Sequence, residues 1–437
     1  MQNTSLNLTS KFMFLRKHLL VLFVCIASLL NSQTNIKAMF YNTLNYNSDI
    51  QSQERTPYLK TILDDLQPDI FMICELKNEI ASNYMFENAI LPFNANFKKA
   101  EFKPSESPAT GLLQMIYYNS NKLELEFNEV IPTGIRDINH YTFIVKSEDD
   151  YNENVRIEVF VTHLKASRGF DNMEKRLNSV ENFTRELDRL PKDSFVLFAG
   201  DFNFYTSNEP GFQKIIAENN SIQLIDPINR LCPAFPNDGI DYFNENNFDS
   251  TYFWNNESFA DVHSQSTRNG QVNGDGSGGG MDDRFDFIMM SKNFTTSSTL
   301  SYKTDSYKTV GNNSNCYNSF VSNSTCTGEF SQNLRNALYF FSDHLPITLE
   351  MEFSPSALNT ESNEVISFLS SNIAKNNLQL NVSEKVNRIF IYNQLGQKII
   401  HLKNVNSKTL KIDTETLKKG VYYIKIDNYK VQKFIKI

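Results

Sequence analysis

The sequence predicts a large domain of mixed α and β structure followed by a small all-β sandwich. From Ile36 onward, apolar segments of strand length alternate with longer helical or loop stretches. Near residue 354 this periodicity is lost in a Ser/Asn/Glu-rich stretch, and short strand-like segments follow it. The chain has 437 residues, whereas one hydrophobic core stops growing at roughly 250 to 300 residues, so more than one domain is expected.

Residues 1–33 are typical of a secretory signal peptide. Lys11, Arg16 and Lys17 precede an apolar run from Leu19 to Leu30, and a short polar segment around Ser32 follows it. A membrane-spanning helix needs about 20 apolar residues, and this run is shorter. We therefore expect export of the chain and no stable membrane span.

Residues 34–353 are predicted to form the mixed α/β domain. An apolar repeat from Leu59 to Leu66 has helical spacing, so a helix is expected to begin at Pro57 and to end before Pro68. A second repeat from Met173 to Leu187 predicts another amphipathic helix. Several strands lack strict alternation and should be covered on both faces. The clearest strands are Ile36–Tyr41, Ile70–Cys74, Val155–Thr162, Phe195–Ala199, Phe285–Met290 and Leu345–Met351.

Residues 354–372 are predicted to be a linker, and residues 373–437 a β-sandwich. Charge divides at the same place: residues 34–372 carry 26 Lys/Arg against 46 Asp/Glu, net −20, whereas residues 373–437 carry 13 against 4, net +9. The predicted strands of the second domain are Arg388–Tyr392, Gln397–Leu402, Thr409–Ile412, Val421–Ile426 and Val431–Ile437.

Cysteine usage allows one disulfide. Cys74, Cys232, Cys316 and Cys326 remain after removal of the signal peptide, too few for a disulfide scaffold. A bridge between Cys316 and Cys326 would close a short polar loop. Cys74 lies inside an apolar strand, which favours an ordinary buried thiol.

Polar residues follow several apolar strands at the point where each strand ends. Asn42, Glu75, His163 and Asp201 occupy such positions. A buried carboxylate without a partner costs several kcal/mol, so these endings are unlikely to be accidental. Gathered at one edge of a sheet, the four side chains would form a metal site.

Six motifs occur in order between Ile36 and Phe353, and each adjoins a predicted strand. This set resembles the endonuclease/exonuclease/phosphatase superfamily, which includes deoxyribonuclease I, exonuclease III and the neutral sphingomyelinases. The resemblance implies a four-layer α/β/β/α sandwich, in which two face-to-face sheets carry helices outside and the site lies at one end. The motifs are Phe40–Asn42, Pro68–Glu75, Val161–Leu164, Gly200–Asn203, Arg284–Asp286 and Ser342–Pro346.

The resemblance implies a metal centre. It makes Glu75 the principal metal-binding carboxylate, with Asn42 and Asp343 as further ligands. Oxygen ligands with retained waters suit Mg²⁺ or Mn²⁺. Ca²⁺ is an alternative, although the glycine-rich run Gly274–Gly280, expected to be a flexible loop, lacks the closing glutamate of a calcium-binding loop.

The resemblance also implies which residues perform the chemistry. Asp201 would orient and deprotonate the attacking water, and Asn203 would donate to the phosphate. Asn42 and Arg136 would contact the substrate phosphate. Lys165 and Arg168 follow His163 closely in the sequence and are further candidates for phosphate binding, with a solvated loop as the alternative. Arg136 precedes Asp137, and the two resemble an arginine–acidic pair of deoxyribonuclease I, with a surface salt bridge as the alternative.

Two histidines complete the implied set. His344, polarised by Asp343, would face the scissile phosphate and stabilise its added charge or protonate the leaving oxygen. His163 would donate to another phosphate oxygen, and Asp286 would orient His163. Donors placed in this way contribute about 3 kcal/mol each to transition-state stabilisation.

The C-terminal segment Asn376–Ile437 resembles the sorting domain of the Bacteroidetes type IX secretion route. Its motifs are Arg388–Asn393, Leu395–Gln397 and Lys419–Ile424, followed by a basic end. The resemblance implies contact with the type IX secretion machinery and a secreted or cell-surface location. A carbohydrate- or partner-binding β-module is the alternative.

These features favour a secreted, metal-dependent phosphoester hydrolase acting as a monomer, with nuclease activity by activated-water attack as the first hypothesis. A net charge of −20 argues against tight nucleic-acid binding. A locally basic cleft of Arg136, Lys165, Arg168, Arg268 and Arg284 would offset it. The alternatives are a phosphatase and a sphingomyelinase- or phospholipase-type phosphodiesterase, and a non-catalytic binding module is a remote third.

Overall fold

A computed structural model describes residues 34–108, 111–146, 155–354, 369–426 and 429–437. The chain forms two compact units that divide between residues 355 and 356. The predicted signal peptide and most of the predicted linker lie outside the described residues. Within the described ranges, none of the helices has the length and apolar character required to cross a membrane.

The first unit contains thirteen strands and seven α-helices among its described residues. The strands are β1 Thr34–Tyr46, β2 Ile70–Leu76, β3 Phe97–Lys99, β4 Leu113–Asn119, β5 Leu123–Ile131, β6 Ile138–Val145, β7 Arg156–His163, β8 Phe195–Asp201, β9 Leu224–Ile225, β10 Asp286–Ser291, β11 Leu300–Tyr302, β12 Lys308–Thr309 and β13 Ile347–Phe353. The helices are α1 Ile50–Leu66, α2 Glu79–Met85, α3 Leu91–Phe93, α4 Phe170–Leu187, α5 Pro210–Ile216, α6 Asn293–Thr296 and α7 Gln332–Phe341.

Two sheets form the centre of the first unit. The seven-stranded sheet has the order β11-β13-β1-β2-β4-β3, with β12 paired to β13. The six-stranded sheet has the order β5-β6-β7-β8-β10-β9. Strands β1 and β2 run parallel, as do β7 and β8, so the carboxyl ends of each pair lie at the same edge of their sheet.

The side chains of the six-stranded sheet point alternately to its two faces, and each face packs against a different hydrophobic core. On β8, Leu197 and Ala199 join the core that contains β1, β2, α1 and α7. Val196 and Phe198 join a separate core with α4 and α5. The layers are therefore helices, seven-stranded sheet, six-stranded sheet and helices. The predicted four-layer α/β/β/α sandwich is confirmed.

Helix α1 begins two turns earlier than predicted. Asp49 caps it by accepting a hydrogen bond from Ser52 N at 2.8 Å, a stronger start signal than the proline. Pro57 consequently lies inside the helix. The helix ends at Leu66, before Pro68, as predicted.

The second unit contains one five-stranded sheet in the order β14-β18-β17-β15-β16. The predicted segment 388–392 is one end of the 17-residue strand β15, not a separate strand. Apolar residues from both ends of the β15–β16 hairpin, including Leu378 and Ile391, share one core, as a sandwich requires. The strands are β14 Ile373–Ala374, β15 Asn377–Asn393, β16 Lys398–Asp413, β17 Gly420–Ile426 and β18 Tyr429–Lys436.

A disulfide joins Cys316 to Cys326, ten positions apart, while Cys74 and Cys232 are free and buried. The bridge restricts a short loop in the unfolded chain. Replacing both bridged cysteines by serine is expected to lower the free energy of unfolding by about 2 to 3 kcal/mol, as measured by urea denaturation. Wild-type protein treated with reductant should show the same loss, and an unchanged midpoint in both cases would contradict the prediction.

Candidate active site

Strand register brings the predicted polar residues together. His163 is the register partner of Asp201 across β7 and β8, and Asp286 is the partner of Asp201 across β8 and β10. In the other sheet, Asn42 pairs with Cys74, the residue before Glu75. The ends of both sheets open into a cavity of about 450 Å³ whose lining includes Glu75, His163, Asp201, Asp343 and His344.

Asn42 links the two sheets through its amide group. Its fully buried Nδ2 donates to Glu75 Oε1 and to Asp201 Oδ2, at 3.0 Å each. Its Oδ1 accepts from Leu44 N at 3.0 Å. In this arrangement Asn42 presents N–H groups to the carboxylates and braces them, whereas its predicted roles as a metal ligand and a phosphate contact stay predictions.

Four non-glycine residues at these strand ends have left-handed backbone conformations. The φ angles are 48° at Leu44, 49° at Asn45, 59° at Glu75 and 51° at Asn203. Such conformations cost about 1 to 3 kcal/mol each and persist only where the surrounding structure enforces them. Local hydrogen bonds do so here, since Asn45 N donates to Glu75 Oε2 at 2.9 Å and Asn203 N donates to Asp201 Oδ1 at 3.1 Å.

The carboxylates around the cavity fit a hard divalent cation. Glu75, His163 and Asp201 each offer a ligand atom, and these atoms lie within 4.8 Å of one another. Asp343 Oδ2 accepts from Ser277 N at 2.7 Å, but its buried Oδ1 has no partner in the described structure. A buried carboxylate oxygen without a donor is a costly feature that a bound cation would remove.

Asp286 contacts His344, which corrects the predicted pairing. Its Oδ2 lies 2.8 Å from His344 Nδ1 and accepts a second bond from Ser264 Oγ at 2.6 Å. It was expected to orient His163, with Asp343 polarising His344. Successive side chains of an extended segment point to opposite sides, so Asp343 points instead toward the glycine-rich loop, where it meets Ser277.

The two histidines of the site have opposite charge tendencies. Burial lowers the pKa of His344, but the carboxylates of Asp286, Asp343 and Asp201 outweigh burial and raise the pKa well above its ordinary value. Burial, together with the charge of Arg136, lowers the pKa of His163 well below its ordinary value. These shifts favour the imidazolium form of His344 and the neutral form of His163.

Asp201 lies between these histidines. His163 Nε2 is 3.4 Å and His344 Nε2 is 3.8 Å from Asp201 Oδ2. Burial raises the pKa of Asp201 to about 7, while the positive charge of His344 opposes the rise. A carboxyl group with this pKa is a far better proton acceptor at neutral pH than a solvent-exposed aspartate.

The predicted phosphate contacts differ in position. Arg136 is half-buried and lines the cavity, and its Nη1 donates to Leu164 O at 2.6 Å. Asp137 instead accepts from the Ser105–Ser107 segment, so the two side chains do not form the surface salt bridge considered as an alternative. Lys165 does not line the cavity, and its Nζ donates to Ala166 O at 2.8 Å.

The basic cleft is smaller than expected. Arg284 is buried and bound through both terminal nitrogens to Asp226, at 2.8 and 2.9 Å. Arg268 is also buried, and its Nε donates to Tyr339 O at 2.8 Å. Both arginines are held by other groups, so neither is presented to a substrate. Arg136 and Arg168 remain as the arginines beside the cavity.

Sequence reasoning missed Gln265. Its amide nitrogen lies 2.6 Å from His344 Nε2 and 3.3 Å from Asp343 Oδ2. A 180° rotation of this amide would present its oxygen to a protonated Nε2 of His344, and it would replace the hydrogen bond to Asp343 Oδ2 by a contact between two oxygens. The segment around Gln265 has neither strand nor helix periodicity, so no pattern marked it. Asp275 of the glycine-rich loop was also missed, and it lines the cavity and accepts from Asn45 Nδ2 at 3.3 Å.

The fold and the clustered strand ends define a four-layer α/β/β/α protein with a polar site at the sheet edges. Residues 372–437 match the family model described as "Secretion system C-terminal sorting domain". The predicted sorting domain is thereby confirmed, and it indicates export by a secretion system. No curated protein matches the chain.

Solved structures named for the predicted superfamily are among those that resemble this chain. An endonuclease/exonuclease/phosphatase family protein from Bacteroides thetaiotaomicron is 14% identical, with 74% of this chain and 99% of that chain covered and a TM-score of 0.45. D. rerio TDP2 complexed with single strand DNA product is 13% identical, with 73% and 99% covered and a TM-score of 0.46. A Bacteroides thetaiotaomicron mannosyl-6-phosphatase is 12% identical, with 72% and 99% covered and a TM-score of 0.43. The fold assignment rests on the layers and strand order described above, since similarity at this level identifies no activity.

Proposed function

We propose that this protein is a secreted, divalent-metal-dependent phosphodiesterase, and that its substrates are nucleic acids. The observation that carries the proposal is the position of Asp201. This carboxyl, with a pKa near 7, lies between a neutral His163 and a protonated His344 in a cavity that also exposes Glu75. A base, a neutral donor and a cationic acid around one space are the groups that phosphodiester hydrolysis requires.

Asp201 is proposed to orient the attacking water and accept its proton. Asn42 and Asn203 each donate a hydrogen bond to a different oxygen of this carboxylate, which fixes its orientation. A fixed base has to lie within hydrogen-bond reach of the proton that it removes, and the cavity adjoining Asp201 gives water that access. Asn203 also lines the cavity and would donate to the phosphate.

His344 is proposed to stabilise the charge that develops on the phosphate and to protonate the leaving oxygen. Asp286 lies 2.8 Å from its Nδ1, so the proton available for transfer is the one on Nε2, which lies beside the Gln265 amide at the cavity lining. Neutral His163 would donate to a second phosphate oxygen, and Arg136 would neutralise part of the phosphate charge. Preorganised donors of this kind are worth about 3 kcal/mol each in the transition state.

Glu75 and Asp343 are the residues proposed to hold the metal, with Asn42 beside them. A bound Mg²⁺ or Mn²⁺ would supply charge neutralisation at the phosphate and lower the pKa of a nearby water. Ca²⁺ stays a second possibility for the same oxygen ligands.

Replacing Glu75 by Gln is expected to raise the Mg²⁺ concentration for half-maximal activity by about tenfold or more, because it removes the anionic ligand and keeps the side-chain volume. Activity would be measured as a function of Mg²⁺ concentration. Glu79→Gln, at the exposed start of α2, makes the same chemical change away from the cavity and should leave the metal requirement unchanged. Equal metal requirements in wild type and Glu75→Gln would rule out Glu75 as a ligand.

The reaction is tested with the chain that begins at Thr34, incubated with Mg²⁺ or Mn²⁺. The substrates are plasmid DNA, single-stranded RNA, sphingomyelin, an inositol phosphate and a sugar phosphate. Cleavage of nucleic acid that is lost with chelator supports the proposal. Hydrolysis that persists with chelator and in Asp201→Ala would reject the mechanism.

A second candidate function is lipid phosphodiester hydrolysis. Phe248 and Ile240, both exposed, lie in the irregular segment between β9 and β10, and Phe248 shares a pocket with Tyr205, which also lines the catalytic cavity. Exposed apolar side chains of this kind suit contact with a lipid surface. Sphingomyelin cleavage without nucleic-acid cleavage in the same assay would favour this alternative, and sugar-phosphate hydrolysis alone would favour a phosphatase.

The proposed domain order is a signal peptide at 1–33, a catalytic domain at 34–353, a linker at 354–372 and a type IX sorting domain at 373–437. The protein is proposed to be a monomer that reaches the cell surface or the medium through the type IX machinery. Truncation after residue 371 is expected to retain the protein inside the outer membrane, as cell fractionation with antibody detection would measure. Unchanged export of the truncated chain would contradict this role.

A further inference from the structure

Arg168 lies beside the catalytic cavity on a set of aromatic rings. Its guanidinium carbon is 4.8 Å from the ring centroid of Tyr205, 4.5 Å from that of Phe248 and 5.8 Å from that of Phe253. Tyr205 lines the catalytic cavity and also a smaller aromatic pocket that contains Arg168. Ser167, the preceding residue, lines the catalytic cavity as well. The stacked arginine is thus immediately next to the proposed reaction site.

The guanidinium of Arg168 forms no hydrogen bond or ion pair with the described residues. Among the described residues, the guanidinium of Arg168 donates no hydrogen bond and forms no ion pair within 4 Å, although the residue is half-buried and its backbone carbonyl accepts from Asn172 Nδ2 at 2.9 Å. Glu209, a nearby carboxylate, is paired with Arg176 at 2.8 Å. Burial raises the pKa values of Glu209, Asp282 and Asp283, and the charge of Arg168 opposes each rise, but none of these carboxylates forms an ion pair with Arg168 within 4 Å.

A stacked guanidinium with unused N–H groups is a preorganised anion-binding group. Contact with ring faces restricts its rotamers and leaves the five donors at its edge available. These donors form a planar fork that matches two oxygens of a phosphate. An arginine needed only for packing more commonly donates hydrogen bonds to backbone carbonyls or carboxylates, as Arg176 and Arg284 do.

We propose that Arg168 binds a second phosphate of a polynucleotide strand, next to the phosphate that is cleaved. The inference rests on the proposed function and names its substrate class. Tyr205 lines both the catalytic cavity and the pocket of Arg168, so the guanidinium lies where a nucleotide next to the bound one would be placed. Sphingomyelin and sugar monophosphates carry a single phosphate and cannot make this contact. Arg168 therefore distinguishes a polymer from a single-phosphate ester.

The test compares two substrates with full-length mature protein and Mg²⁺. One is a ten-nucleotide oligothymidylate, and the other is the p-nitrophenyl ester of thymidine 5′-monophosphate, which has only the scissile phosphate. Arg168→Ala is expected to lower kcat/KM for the oligonucleotide about tenfold more than for the ester, the size typical of one charge-assisted contact. It should also flatten the dependence of log kcat/KM on log salt by about 0.7 for the oligonucleotide.

Two variants separate recognition from packing. Phe248→Ala removes an exposed ring under the guanidinium and keeps the charge, so it should weaken oligonucleotide turnover several-fold with an unchanged salt slope. Arg189→Ala, a charge loss at an exposed position just beyond α4, should change neither substrate. Equal losses on both substrates for Arg168→Ala, or an unchanged salt slope, would overturn the proposal.

Binding without turnover separates this inference from the proposed reaction. Fluorescein-labelled oligothymidylate is titrated in chelator, where cleavage is prevented, and its anisotropy is followed. Arg168→Ala should weaken this binding about tenfold relative to Arg189→Ala. If wild type cleaves neither substrate but the binding difference appears, the proposed function fails and the phosphate contact stands. If binding is the same in both variants, the contact fails.

Discussion

Asp201→Ala is expected to lower kcat by about a thousandfold or more, with the protein still folded. The substitution removes the proposed base, and general-base catalysis is typically worth about 10² to 10⁴ in rate. Burial raises the pKa of this carboxyl to about 7, which means that its charged form destabilises the folded protein. Removing the carboxyl should therefore leave the protein folded. Initial rates at saturating Mg²⁺ measure the effect, and circular dichroism establishes folding.

Asp188→Ala is the matched control for this prediction. Asp188 is exposed at the end of α4, and its replacement removes the same side chain away from the cavity. It should retain wild-type kcat. A rate for Asp201→Ala within tenfold of wild type would show that another group accepts the proton.

His344→Ala is expected to lower kcat by about a thousandfold, and Asp286→Asn by about a hundredfold. Asp286 acts through His344 in the described geometry, because its Oδ2 is 2.8 Å from His344 Nδ1. Residues that act as a unit show non-additive effects when they are replaced together. The double variant of His344 and Asp286 should therefore be no slower than His344→Ala alone.

The corresponding cycle with His163 tests the alternative pairing. Asp286→Asn combined with His163→Ala should show the full product of the two single losses, because no hydrogen bond joins these side chains in the described structure. Additivity with His344 and non-additivity with His163 would reverse the assignment and restore the pairing that the sequence implied.

Much of the site was readable from the sequence because it is built from strand ends. Asn42, Glu75, His163 and Asp201 each follow or end an apolar strand, and strand register carries them to one edge. Sequence motifs identify such residues well, because a polar residue at the end of an apolar strand can be recognised from the sequence alone. The roles assigned to these residues stay predictions until the variants are measured.

Side-chain contacts between segments that are distant in the sequence could not be predicted in this way. Asp286 meets His344 across 58 positions, and which histidine it reaches depends on how β10 approaches the loop after α7. Gln265 reaches the same histidine from an irregular segment with no periodicity. In β5, charged residues interrupt the apolar positions and only its two end residues are buried, so the strand carried a weak signal.

The start of helix α1 and the strand lengths of the second unit were also not predicted correctly from local sequence. Asp49 overrode the proline as a start signal for α1, because a side-chain cap stabilises the first turn directly. In the second unit, the turn-rich sequence suggested separate strands, but β15 and β16 continue through bulges as long paired strands. Local sequence breaks thus do not always end a strand when its partner continues.

The left-handed φ angles at Leu44, Asn45, Glu75 and Asn203 have a consequence for engineering. Glycine adopts this conformation at little cost, so replacing Asn45 by Gly would relieve local backbone strain while shortening a side chain that reaches Asp275. Selection for thermal stability alone would accordingly favour mutations at these four positions and would lower the catalytic rate. Directed evolution of a hardier variant should hold these four positions constant and seek its gains in the helical outer layers.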